Sequence, residues 1–131
     1  MDISLLCYDK DTGNIFWSGA NNPLWYFDSG NLKKIVANKQ PIGKTDSPNS
    51  FTTHEIVADK GSTFYLFTDG FADQFGGSKG KKFKYRQLQD FLLKNANEPM
   101  ELQRKKLTEE FEHWKGDLEQ VDDVCIIGIK I

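Results

Sequence analysis

Apolar and polar residues follow two rhythms along this chain. Through the first two thirds, short β-branched and aromatic runs are broken by turn residues. Ile3 to Tyr8 is an apolar run, Asp9-Lys10-Asp11-Thr12-Gly13-Asn14 supplies turn residues, and residues 15–17 resume the run, which predicts a hairpin. Leu24-Trp25-Tyr26-Phe27 and residues 32–37 flank Asp28-Ser29-Gly30-Asn31 and predict a second hairpin, because Gly and Asn tolerate the positive φ of a tight turn. Residues 38–50, with Pro41, Gly43 and Pro48, read as a long loop, and further strands are expected at 51–57, 62–68 and 124–131.

The rhythm changes to a helical one between the last two strands. Leu88, Phe91 and Leu92 fall at helical spacing, and a second helix opens at Pro99, a favoured first helical position, with Leu107, Phe111 and Trp114 on one face before Gly116. Lys105 with Glu109 and Lys106 with Glu110 are placed for i,i+4 attraction. Strands, two amphipathic helices and a closing strand predict an α+β layered fold with a largely antiparallel sheet. The length, 131 residues, is that of one domain.

Composition narrows the function. Lys and Arg number 17 against 19 Asp and Glu, a net charge of −2, which argues against general nucleic-acid backbone binding. A nucleic-acid-binding β-domain with aromatic strands also lacks its aromatic-basic recognition motif here. The hydrophobic share of 38%, with 10 Phe, 4 Tyr and 3 Trp, suits a folded core in which Trp17, Trp25 and Trp114 act as anchors. No apolar run reaches the ~20 residues of a membrane span, and the first residues lack an export signal, so a cytoplasmic segment without membrane insertion is expected, compatible with a parent chain anchored elsewhere. Cys7 and Cys125 lie in apolar runs and read as structural thiols that behave as small hydrophobes. With only His54 and His113, far apart, imidazole-bound zinc and a Ser-His-Asp triad are poorly supported, and any metal must rely on oxygen.

Two acidic sites bear on that point. Thr63-Phe64-Tyr65-Leu66-Phe67-Thr68-Asp69-Gly70-Phe71-Ala72-Asp73 is an apolar strand ending in a carboxylate and a glycine, a pattern that also fits a plain Asp-Gly turn. Gln120-Val121-Asp122-Asp123-Val124-Cys125-Ile126-Ile127 places two acids at the start of another apolar strand, where the alternative is ordinary solvated strand entry. If the two strand ends are neighbours, their carboxylates converge and repel, and a hard divalent cation is the natural occupant.

Four stretches in this order, Ser18-Gly19-Ala20-Asn21-Asn22-Pro23-Leu24, Gln40-Pro41-Ile42-Gly43, Phe67-Thr68-Asp69-Gly70 and Asp122-Asp123-Val124-Cys125, resemble the PPM-type metal-dependent serine/threonine protein phosphatases, in their bacterial SpoIIE/RsbU-like branch. The resemblance implies part of an α-β-β-α sandwich and hydrolysis of phosphoserine or phosphothreonine with two Mn²⁺ or Mg²⁺ ions, a bridging water attacking phosphorus directly. It implies Asp69 and Asp122 as metal ligands, with Asp123 beside them in the metal site. It further implies a bacterial signalling role, in which a phosphorylated regulatory protein such as an anti-sigma-factor antagonist is the substrate and an upstream sensor or receiver domain is the controller.

The likeness begins midway through the family's domain. The family's earlier glycine-aspartate motif, whose carboxylate bridges the metals, has no counterpart, since Asp2, Asp9 and Asp11 stand outside its setting. The chain, 1–131, therefore reads as the C-terminal portion of a single phosphatase domain whose N-terminal portion is absent. The isolated fragment is expected to be inactive or nearly so, and its exposed sheet surface to favour a homo-oligomer. The competing class is a non-catalytic, phosphatase-like interaction module, which the presence of both Asp69 and Asp122 disfavours. Gly76-Gly77-Ser78-Lys79-Gly80-Lys81-Lys82 is not a P-loop, its outer glycines being one residue too close and Lys82 replacing Ser or Thr. Lys79, Lys81, Lys82, Lys84 and Arg86 read as a solvated loop that beside Asp69 would attract a phosphorylated, acidic partner. Asp9-Lys10-Asp11-Thr12-Gly13 lacks the later ligands of a calcium loop, and Asp73 reads as a plain polar residue.

Overall fold

Two hairpins open the chain, each set by its own turn. In a computed structural model of the protein, which describes residues 1–44 and 49–131, β1 (Ile3–Tyr8) pairs antiparallel with β2 (Ile15–Ala20). In their turn, Asp9 Oδ1 accepts hydrogen bonds from the amides of Asp11 (2.9 Å) and Thr12 (3.3 Å), the local bonding that makes Asp a turn former. β3 (Leu24–Asp28) pairs with β4 (Asn31–Ile35) across Ser29 and Gly30, whose φ values of 51° and 78° are the two positive angles that a type I′ hairpin demands. Part of the expected 38–50 loop, 45–48, lies outside the described residues.

β5 (His54–Ile56) is shorter than the expected 51–57 strand and adds to β2, giving the order β1-β2-β5. β6 (Thr63–Phe67) adds to β3 on the side away from β4, with Trp25 opposite Tyr65. Every residue of β3 and β6 is buried, which is why these strands read as unbroken apolar runs rather than alternating ones. Trp17, Leu24, Phe64 and Tyr65 form the centre of this packing, with the Tyr26 and Phe64 rings stacked at 5.1 Å. The edge strand β4 presents Lys33 and Lys34, Lys34 lying 5.6 Å from the Trp25 ring centroid, and such charge blunts edge pairing. In the other sheet, the edge strand β1 leaves Leu5 61% exposed. Asp28 is buried beside that turn, bonded to Lys33 Nζ (2.5 Å), the Asp59 amide (3.0 Å) and Ser62 Oγ (2.8 Å). The Lys33 bond, then those from Asp59 and Ser62, hold its carboxyl down to about 2.

These elements, Met1–Phe67, form one unit together with Lys130–Ile131, where the Ile131 amide donates to Ser62 O at 3.1 Å. Thr68–Ile129 form the second. It contains α1 (Gly70–Asp73), the small hairpin β7 (Phe75–Gly76) and β8 (Lys81–Lys82), α2 (Tyr85–Asn95), α3 (Met100–Lys115) and most of β9 (Ile126–Lys130). Both expected helices form. Pro99 caps α3 rather than opening it, its carbonyl receiving the Gln103 amide at 3.0 Å. Lys105 pairs with Glu109 at 3.9 Å as its spacing predicts, whereas Lys106 turns from Glu110 to Asn95 (2.9 Å) and Glu98 (3.0 Å), where it also satisfies a buried amide oxygen. The one-turn helix α1 and the β7–β8 hairpin occupy a stretch whose composition reads as turn and loop. Phe71 packs against Phe83 and Phe111 at 5.0 and 5.1 Å, and Leu88 and Leu92 of α2 are buried.

The architecture is mixed α+β with mostly antiparallel strands, as the sequence pattern predicts. Cys7 and Cys125 are free thiols, but exposed, because β1 turns Cys7 outward and Cys125 precedes β9 rather than lying in it. Among the described residues no helix is long and apolar enough to cross a membrane.

Candidate active site

The site is assembled around Thr68, at the start of the second unit. Its amide donates to Cys125 O (3.0 Å), its hydroxyl donates to Asp123 O (2.8 Å), and the same oxygen accepts the Cys125 amide (3.0 Å). One side chain thus satisfies two backbone groups where regular pairing has stopped, and it holds the 123–125 segment in place. Gly70 closes the contact from the other side of Asp69. A Cβ there would collide with the Asp123 carbonyl oxygen and stand 2.9 Å from its carbon, so glycine is required by the approach itself.

Asp69 lies between these two anchors and is exposed. It caps α1 through its carbonyl alone, which receives the Asp73 amide at 2.9 Å, and its carboxylate takes no part in capping. Across from it, Asp122 Oδ1 accepts the Asp123 amide at 2.7 Å, and Asp122 O accepts Gln120 Nε2 at 2.8 Å. The segment leading to this turn is held by Gln74. That fully buried amide donates to Glu119 O (2.9 Å) and accepts the Val121 amide (3.3 Å), while its own carbonyl receives Trp114 Nε1 at 3.0 Å. The backbones bearing Asp69, Asp122 and Asp123 are therefore brought side by side, although some 50 residues separate the two segments in the chain.

Tyr85, at the start of α2, belongs to the same neighbourhood. Burial, reinforced by the carboxylates of Asp69 and Asp73, pushes its phenol above the usual value. Asp73 is in an ion pair with Lys82 at 3.0 Å. Sequence reading alone misses Thr68, the close approach at Gly70, Gln74 and Tyr85. A hydroxyl immediately before Asp-Gly at a strand exit is a usable signal for the first, but a buried glutamine carries none, since glutamine is usually a surface residue. The other quoted stretches serve the first unit: Asn21 (φ 61°) donates its amide to Asn38 O at 2.9 Å, and Gln40 exchanges two hydrogen bonds with Asn49.

The family model of Stage II sporulation protein E (SpoIIE) matches residues 1–131. The chain belongs to the SpoIIE family. Among solved structures it is similar to the SiaA-PP2C domain of Pseudomonas aeruginosa, at 28% identity and a TM-score of 0.89 over 99% of this chain and 51% of that one. The phosphatase domain of the cell fate determinant SpoIIE from Bacillus subtilis matches at 16% identity and a TM-score of 0.65, over 99% of this chain and 58% of that one. A second structure of that domain, described as Mn presoaked, gives 16% and 0.66, over 99% and 56%. This SpoIIE-family chain thus spans about half the length of the solved domains it matches. No curated protein matches its sequence.

A metal ion fits this SpoIIE-family site in donor type but not in donor number. Asp69, Asp122 and Asp123 offer only oxygen, the chemistry that hard divalent cations prefer. Among the described residues, however, no group of three or more His, Cys, Asp or Glu side chains is arranged to hold an ion.

Proposed function

We propose that this chain supplies part of the active site of a metal-dependent protein phosphatase acting on phosphoserine or phosphothreonine, with Asp69 and Asp122, and Asp123 beside them, as its share of the donors to a Mn²⁺ or Mg²⁺ centre. Membership of the SpoIIE family supports the phosphatase chemistry. The observation that carries the residue assignment is the Thr68 hydroxyl, bonded to both Asp123 O and the Cys125 amide, which keeps the two acidic segments together. Oxygen-only donors are right for hard cations, and their shortfall in number accounts for the expectation that the 131 residues alone turn over little or no substrate. Phosphorylated regulatory proteins of a bacterial signalling pathway are the substrates this reading favours, under the control of a sensor or receiver domain.

Two measurements test it. Mn²⁺ binding to the 131-residue chain, followed by the electron paramagnetic resonance of free Mn²⁺, should be weak and should fall at least about tenfold in Asp69→Asn and Asp122→Asn. In the full protein, hydrolysis of a phosphoserine peptide with Mn²⁺ should drop about a hundredfold in either variant. Full activity in both variants would falsify the assignment. Retained partner binding with no hydrolysis in the unsubstituted full protein would establish the non-catalytic module instead.

A further inference from the structure

The β7–β8 hairpin and the turn into α2 concentrate positive charge on a chain whose net charge is −2. Lys79, Lys81, Lys82, Lys84 and Arg86 are all exposed. Asp73 engages Lys82, and among the described residues the other four make no ion pair. Two of these four are placed against the interests of the fold. Lys84 and Arg86 stand at the N-terminal end of α2, which has no acidic residue in its first turn, and cations at that end of a helix weaken it. Lys84 also takes φ 72° and ψ 148°, a backbone region that is essentially glycine's.

The strip is fixed to the candidate site. The Lys84 amide donates to Ala72 O (2.7 Å) and the Phe83 amide to Gln74 O (3.0 Å), so the hairpin's exit runs along α1, which Asp69 caps. One helical turn, about 5.4 Å, separates Asp69 from the Asp73 that Lys82 holds. We infer that this basic strip is a docking surface for an acidic polypeptide segment flanking the phosphorylated residue of the substrate. The inference rests on the phosphatase reading for the phosphate's place, but the strip's own affinity for acidic sequence is measured separately. A protein partner suits the strip better than a nucleic acid because only a few cations are involved, on a surface that is elsewhere acidic.

The test is fluorescence anisotropy with the 131-residue chain and two labelled phosphoserine peptides, one with aspartates and glutamates on both sides and one with neutral flanks. The acidic peptide should bind more tightly, with an affinity that falls as salt rises. The double variant K81E/K84E should lose about tenfold or more of that affinity, while K10E, in the β1–β2 turn, should lose none. Circular dichroism shows whether K81E/K84E is folded, and K79E/R86E gives a second charge reversal, away from the strained position. Asp69→Asn should keep the preference for acidic flanks, so the strip's role stands or falls apart from the metal assignment. Equal binding of both peptides, or folded charge-reversal variants with unchanged affinity, would overturn the inference. Tighter binding of a single-stranded oligonucleotide or of phosphatidylserine vesicles than of the acidic peptide would overturn it as well.

Discussion

The two units of this chain are held together by different kinds of interaction. Met1–Phe67 with Lys130–Ile131 is built from hairpins whose turns are local: Asp9 bonds the amides two and three residues on, and Ser29-Gly30 reverses the chain in two residues. Thr68–Ile129 depends on contacts between residues far apart in sequence. Gln74 reaches Glu119 and Val121, Trp114 closes over Gly76, and Thr68 bonds Asp123 and Cys125. The candidate site lies in the second unit, so the carboxylates are positioned by the long-range contacts and not by turn chemistry. A site of that kind can be lost by a substitution well away from it.

The sharpest way to break the comparison is with glycines. A Cβ at Gly76 would run into the Trp114 carbonyl and stand 2.7 Å from Trp114 Cδ1, whereas at Gly13 it would meet nothing and strain only the φ of +77°. Gly76→Ala should destabilise the protein by about 3 kcal/mol or more, the range of severe overpacking. Gly13→Ala should lose about 1 kcal/mol, the cost of a left-handed backbone for a residue with a Cβ. Thermal melts give both values, and equal losses would show that the two units do not differ in this respect. A smaller effect is expected at Gln74, where truncation to Ala orphans the Val121 amide and the Glu119 carbonyl and should cost about 2 kcal/mol. Amide hydrogen exchange should then rise in the segment leading to Asp122 while β1–β2 keeps its protection. Uniform loosening of both units would count against local control of the acidic segment.

A further effect belongs to the first unit and appears only in acid. Asp28 has its carboxyl held at about 2 by Lys33 and by the Asp59 and Ser62 donors, below the 3.8 of an unperturbed aspartate. A depressed folded-state value means that the carboxylate's contribution is complete above pH 3.8 and is lost as pH falls toward 2. Urea melts between pH 5 and pH 2 should show this fall in the unsubstituted chain and a shallower one in Asp28→Asn. Identical acid limbs would sharpen the comparison by leaving the first unit with turn chemistry and packing alone.

The legible parts of the chain are those in which the physics is near in sequence. Both opening hairpins are legible because their turn residues carry the conformation, α2 because Leu88, Phe91 and Leu92 fall at helical spacing, and α3 because Leu107, Phe111 and Trp114 do. The Asp69 and Asp122-Asp123 positions are legible as charges that end one apolar run and open another. The one-turn helix at Gly70–Asp73 is not, because Asp-Gly is also a common hairpin pair and four residues give no periodicity to read. Lys106 illustrates the same limit: its i,i+4 partner was available, but a buried Asn95 oxygen and Glu98 from the preceding turn offered more. The exposure of Cys7 and Cys125 is hidden for a related reason, since an apolar neighbourhood in sequence does not say which face of β1 Cys7 occupies or that β9 begins only after Cys125.

By itself the sequence determined the α+β class, the order of the longer strands and of α2 and α3, and the two opening hairpin turns, because propensity, periodicity and turn geometry act over a few residues. The tertiary structure alone decided that Thr68 and Gly70 grip Asp123 and Cys125, that Gln74 supports the approach to Asp122, and that the lysine strip is tied to the helix that Asp69 caps. Those decisions turn on buried polar groups finding partners and on backbones that touch only where a side chain is missing. Both conditions depend on which distant segments meet.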